Sequence, residues 1–219
     1  MAQTPKFSTS IQPPPGPNTK LVLDTSTTTT TNPKVFNDAI TIRKTVFIDE
    51  QHCTASTEID SDDPRSWHWV LYTDTTSTPV GTIRLVPPPQ VSHAHTTDPE
   101  YSAGGEYDWT HEPCVKLTRV AVVPGFRGLG LGRRLVEVAL VWAAGHAGEI
   151  DEAVAGIARR GDSGSDAIGP WRGLVLVHAQ VDVEGMYAGL GFVTDESMGR
   201  WMEEGIEHVG MFRRVVLDK

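Results

Sequence analysis

A mixed α/β (α+β) domain is what this sequence predicts, and three observations predict it. Short apolar runs of strand length alternate with stretches whose apolar residues recur at helical spacing. One such run leads directly into a glycine-rich turn that opens a helix, over Leu117 to Trp142. The length, 219 residues, suits one domain with a sizeable core.

Taken in order, residues 1–19 are rich in proline and are expected to be a flexible tail, with a single domain over residues 20–219. Leu21, Val22 and Leu23 read as a first strand, and the tract from Thr25 to Thr31 as a loop. Asn32-Pro33 reads as a cap and first-turn proline, and Val35, Phe36, Ile40, Ile42 and Phe47 then mark a helix over about Lys34 to Ile48. Trp67 to Thr73 is aromatic and β-branched and Pro79 to Val86 is rich in β-branched residues, so they are expected to form an antiparallel pair across a polar turn. Pro87 to Pro113 has no sustained periodicity and reads as a long loop.

Lys116 to Val123 is the next strand, ended by Pro124-Gly125, and Leu131, Leu135, Val138 and Trp142 predict a helix from about Gly130 to Ala144. Gly145 to Gly173 reads as an insertion with a short helix from Ile150 to Arg159. Leu174 to His178 is a buried strand, Val183 to Ala188 a brief helix, and Phe192 to Val193 and His208 to Val216 are closing strands.

Charge and cysteine content narrow the function classes. The formal net charge is -9, whereas nucleic-acid binding requires clustered lysine and arginine, so no nucleic-acid partner is expected. Cys53 and Cys114 are the two cysteines and show no zinc-ligand spacing, which predicts a reduced, cytoplasmic protein without a metal. His93, His95 and His111 lack a matching ligand set as well. No apolar run approaches the roughly 20 residues that span a bilayer, so no membrane partner is expected.

The chemistry concentrates at Arg127-Gly128-Leu129-Gly130-Leu131-Gly132-Arg133. Its glycines let backbone N–H groups approach an anion, and the dipole of the following helix favours negative charge there. A pyrophosphate is the expected ligand. The Rossmann spacing Gly-x-Gly-x-x-Gly is absent, and so is the Gly-Lys-Ser/Thr of a Walker loop. A tight turn without ligand is the remaining alternative.

Here the chain resembles the GNAT N-acetyltransferases, whose acyl-CoA motif is Arg/Gln-x-x-Gly-x-Gly/Ala between a strand and a helix. Arg127, Gly130 and Gly132 match it, and Leu117-Thr118-Arg119-Val120-Ala121-Val122 with Pro124 is similar to the strand before it. A second likeness is Met186-Tyr187-Ala188-Gly189-Leu190-Gly191-Phe192, similar to the family's aromatic-Tyr-x-x-x-Gly-Phe, with Met186 in place of the aromatic residue. More loosely, Ile42-Arg43, Val46 to Gln51, Glu58, Asp60, Asp63, His68 and Gly205 to Met211 resemble a subgroup of small microbial members. The loops 87–113 and 145–173 are longer than the minimal fold needs.

The resemblance implies a mostly antiparallel central sheet flanked by helices and splayed at the cofactor strand, with acetyl-CoA as cosubstrate. The backbone of Val120, Ala121 and Val122 would hold the acetyl and pantetheine parts, residues 127–133 the pyrophosphate, and Tyr187 would protonate the leaving thiolate. For the general base the candidates are Glu50, at the end of an apolar stretch where desolvation would raise its pKa, and Asp60 of the acidic segment 58–63. The expected acceptor is a small polar amine such as an amino sugar or polyamine, acted on by a monomer or homodimer. Protein N-terminal or lysine acetylation, and a non-catalytic acyl-CoA-binding module, are the alternatives.

Overall fold

The computed structural model describes residues 6–26, 31–92, 107–159 and 169–218. It is mixed α/β, with eight strands in a mostly antiparallel sheet flanked by helices. The chain forms two compact units, Met1–Leu85 with Arg119–Val136, and Val86–Thr118 with Glu137–Lys219. No helix among the described residues is long and apolar enough to cross a membrane.

In the first unit β1 (Phe7–Gln12) pairs antiparallel with β2 (Trp67–Thr73), which pairs antiparallel with β3 (Pro79–Val86). β1 corrects the expectation of an unstructured tail. Phe7, Thr9 and Ile11 alternate with Ser8 and Ser10, a period of two that suits a strand, and pairing here satisfies backbone groups of β2 that would otherwise form a sheet edge. Pro5 precedes the strand, and the cluster of prolines that suggested a tail begins only after it, at Pro13.

The expected strand at Leu21 to Leu23 is absent. The Asn32 side chain takes both backbone groups of Val22, accepting from its N–H at 2.9 Å and donating to its oxygen at 2.7 Å. Asn32 therefore clips a loop, and it does not cap the helix. That helix, α1 (Lys34–Arg43), continues as a π-helical stretch over Lys44–Glu50, where Gln51 N–H reaches Val46 O at 3.0 Å. Its inward face packs Ala39, Ile42 and Val46 with Val70 and Tyr72 of β2 and with Ala121, all buried.

β4 (Val115–Val122) and α2 (Leu131–Gly145) contribute residues to both units. In the second unit β4 pairs parallel with β5 (Leu174–Gln180) over three positions, Val115↔Val175 to Leu117↔Val177. β5 pairs antiparallel along its length with β8 (Ile206–Arg214), which also takes β6 (Val193–Thr194) and β7 (Arg200–Glu203). α3 (Ala147–Ala158) opens the expected insertion; residues 160–168 of that insertion, and 93–106 of the earlier loop, lie outside the described residues. Trp171 is buried as an anchor, its N–H on Asp151 at 2.8 Å and its Nε1 on Leu174 O at 2.7 Å. α4 (Glu184–Ala188) follows β5 and carries Tyr187.

Candidate active site

The segment from β4 to α2 has the form that an anion site requires. β4 runs five residues beyond its ladder with β5, and within those residues Arg119 takes φ 52°. A left-handed arginine inside a strand costs on the order of 1–2 kcal/mol and marks a local break in regular geometry. After β4, Phe126 N–H bonds Val123 O at 3.0 Å in a tight turn, and Gly128 and Gly130 take φ 77° and 72°. Only glycine adopts those angles without strain, and open space lies where either Cβ would stand. Arg134 N–H bonds Gly130 O at 3.0 Å, starting the helical ladder. The N–H groups of the turn before that point have no intrahelical acceptor, and the helix dipole adds partial positive charge. Buried Leu131, Leu135 and Val136 fix α2 beneath the turn, while Leu129 is exposed at its tip.

Arg127 follows this turn geometry but its guanidinium is engaged. It donates to both Glu50 oxygens, at 2.6 and 2.7 Å, and its Nε donates to Val122 O at 2.9 Å. The Arg127 hydrogen bond holds the Glu50 carboxyl below the usual carboxylate range. This corrects the expectation of a raised value. Glu50 is exposed at a helix end, so desolvation is too weak to oppose the guanidinium.

Asp60 also departs from the form of a general base. Arg84 grips it through both oxygens, at 2.6 and 2.9 Å, and Arg119 Nη2 lies 3.2 Å from Oδ2. Burial would push the Asp60 carboxyl up, but the charges of Arg84 and Arg119 outweigh it and hold the carboxyl low. The pair belongs to a buried network. Arg43 donates to Glu58 at 2.5 Å and to Asp63 at 2.7 Å, and Arg84 lies 3.0 Å from Asp63. Three guanidiniums face three carboxylates, which is the balance that burial of charge demands. His68 Nε2 meets Asp63 O at 3.0 Å, and burial lowers its pKa to about 4, so it is neutral.

The scattered residues Arg43, Glu58, Asp60, Asp63 and His68 thus share one cluster. Arg84 and Arg119 complete it, and sequence reasoning missed their part. The one available signal was that Arg84 is the single charged residue of β3, whereas Arg119 shares β4 with Lys116.

Tyr187 lies in the second unit, buried on α4, with its ring edge-on to Phe192 at 5.5 Å between centroids. Burial raises its phenol above the ordinary value. His93 and His95 fall outside the described residues, and His111 pairs with Asp108.

Comparison with known proteins gives this geometry a context. Residues 36–158 match the model of the Acetyltransferase (GNAT) family. The chain is 25% identical over 184 residues to the uncharacterized protein YyaT of Bacillus subtilis, covering 82% of this chain and 88% of that one. Among solved structures, a putative N-acetyltransferase from Lactobacillus plantarum aligns with TM-score 0.57 at 19% identity, covering 96% and 99% of the two chains. An acyl-CoA N-acyltransferase from Pseudomonas aeruginosa aligns with TM-score 0.57 at 22% identity, covering 95% and 99%. These two likenesses speak for the fold.

Proposed function

Because the chain belongs to the GNAT acetyltransferase family and is an acyl-CoA-dependent acyltransferase, we propose that it moves an acetyl group from acetyl-CoA to a primary amine. The turn from Arg127 to Arg133 carries the reading. Gly128 and Gly130 provide an open backbone cradle at a helix N-terminus, which fits a pyrophosphate by both shape and charge. In this reading Gly128, Leu129, Gly130, Leu131, Gly132 and Arg133 present the N–H groups. Arg127 supplies a full positive charge after exchanging Glu50 for phosphate, an exchange that exposure of the pair makes inexpensive.

Along β4, the backbone of Val120, Ala121 and Val122 extends past the short ladder, so its polar groups are free of β5 and suited to polarising the acyl carbonyl. Tyr187 donates to the departing sulfur. The acceptor is a small polar amine such as an amino sugar or polyamine, a choice supported by the net charge of -9. Glu58, Asp60 and Asp63 add nothing to that support, because they are paired internally with arginines.

The test combines calorimetry with detection of released thiol. Acetyl-CoA should bind, and free CoA should appear only when an amine such as spermidine or glucosamine is present. Binding without amine-dependent release across an amine panel would identify a non-catalytic acyl-CoA-binding module.

A further inference from the structure

The second unit brings together titratable side chains that the reading above does not use. His178 is the β5 residue immediately after Val177, where the ladder with β4 ends. On β8, Gly210 lies opposite His178 and His208 opposite Gln180, while Trp201 of β7 lies opposite His208. Alternation therefore puts His178, His208, Trp201 and Glu203 on one face. Their contacts agree. The Trp201 ring meets the His178 imidazole at 4.8 Å and 77° and lies nearly parallel to His208 at 6.2 Å. Glu203 Oε2 lies 3.9 Å from His178 Nδ1. Since Gly210 has no side chain, the Met198 thioether occupies the position opposite His178.

His178 thus has an apolar wall of Trp201 and Met198 beside it and a carboxylate at its Nδ1. Glu203 Oε2 is buried and makes no hydrogen bond among the described residues. Burial opposes its ionisation, yet contact with His178 and the charges of His178, Lys116 and His208 hold the carboxyl well below the usual range. An anionic carboxylate facing Nδ1 favours the tautomer with its proton there, leaving Nε2 as a proton acceptor. His208 is differently committed, with Nδ1 on Ile206 O at 2.8 Å. Acyl transfer to an amine needs such an acceptor, and Glu50 and Asp60 are held by guanidiniums.

Resting on the reading that an amine is acetylated here, we propose that His178, oriented by Glu203 and walled by Trp201, accepts the proton of the acceptor ammonium. The ammonium gives one proton to Nε2, and the freed nitrogen lone pair forms the C–N bond to the thioester carbonyl carbon. As the C–S bond breaks with its electron pair moving onto sulfur, the Tyr187 hydroxyl donates its proton to the developing thiolate. The second proton shed by nitrogen as the amide forms returns to the tyrosinate, and the imidazolium releases its proton to solvent.

The experiment measures thiol release with spermidine, glucosamine and a peptide with a free N-terminus at saturating acetyl-CoA, from about pH 5 to pH 9. Wild-type kcat/KM should rise with pH along a limb in the neutral range. His178→Gln should lower kcat by about 10²-fold and remove the limb, with calorimetric acetyl-CoA affinity kept. Glu203→Gln should move the limb to lower pH, since the imidazolium loses its counter-ion, with a smaller loss of rate. A His178→Gln protein that binds acetyl-CoA and keeps both rate and limb overturns the assignment and leaves amine acetylation standing. If that variant does not fold, an unmoved limb in Glu203→Gln overturns it. A wild-type protein that binds acetyl-CoA but acetylates none of the probes removes both readings.

Discussion

Tyr187 is buried, meets Phe192 edge-on, and has no hydrogen-bond partner for its hydroxyl among the described residues. Its raised pKa keeps the phenol protonated throughout the neutral range. A thiolate's conjugate acid is the stronger acid, with a reference value near 8.5, so full proton transfer from this phenol to a free thiolate is uphill. Its contribution would therefore come while charge develops on sulfur, as a donor aimed at the transition state. Tyr187→Phe keeps the ring and deletes the donor. It should lower kcat by about 10²-fold, leave acetyl-CoA affinity nearly unchanged, and leave the thermal midpoint close to that of the parent because no internal bond is lost. Thiol release, calorimetry and a melting curve measure these in turn, and an unchanged kcat would remove the proton-donor role.

At the scale of elements, the buried network around α1, β2 and β3 couples folding to pH through His68 of β2. Burial, against the attraction of Asp63, lowers its folded pKa to about 4 from 6.5. Between these values the unfolded chain binds a proton that the folded chain refuses, so stability is full above about pH 6.5 and is lost as pH falls toward 4. The loss is on the order of 3 kcal/mol. Asp63, held low by Arg43 and Arg84 against burial, adds a second loss below its ordinary 3.8. Urea unfolding at a series of pH values should show both limbs, and a folded His68→Gln should lack the upper one. An upper limb that survives the substitution would assign that titration elsewhere.

How legible each element is in the sequence follows from the range of the interactions that make it. β2 and β3 appear with their boundaries because two runs of mostly apolar or β-branched residues, interrupted by His68 and Arg84, flank a polar turn. The turn into α2 is legible because its glycines and its helical stripe are adjacent in the chain. β1 is obscured by the prolines after it, and β7 by its brevity and charge, since Arg-Trp-Met-Glu shows little apolar pattern. The hairpin from β7 to β8 turns on Glu204 and Gly205, both at positive φ (50° and 78°), a two-residue turn whose commoner signature is Asn-Gly. The ion network and the His178–Glu203 pair escape local reading altogether. Their members lie far apart in sequence, and alternation tells which residues share a face only after strand pairing is known.

For the whole molecule, the excess of acidic residues is a statement about encounter with substrate. The chain carries 28 Asp and Glu against 19 Lys and Arg. Since the buried cluster pairs Arg43, Arg84 and Arg119 with Glu58, Asp60 and Asp63, it is neutral, and the net charge of -9 resides in the remaining residues. A field of that sign raises the local concentration of cations and disfavours anions, an effect that acts on the rate of association. Polyvalent spermidine should therefore have a higher kcat/KM than glucosamine, and both should exceed an acidic peptide with a free N-terminus. The advantage should also be screened by salt. The Debye length falls from about 10 Å at 0.1 M to about 3 Å at 1 M, so kcat/KM for spermidine should drop across that range while kcat at saturating amine stays nearly level. An electrostatic preference has that signature, whereas a contact-based preference for spermidine would persist in high salt. A peptide that outperforms both small amines by a wide margin, or a spermidine rate indifferent to salt, would transfer the choice of acceptor from net charge to the shape of the site and favour protein acetylation.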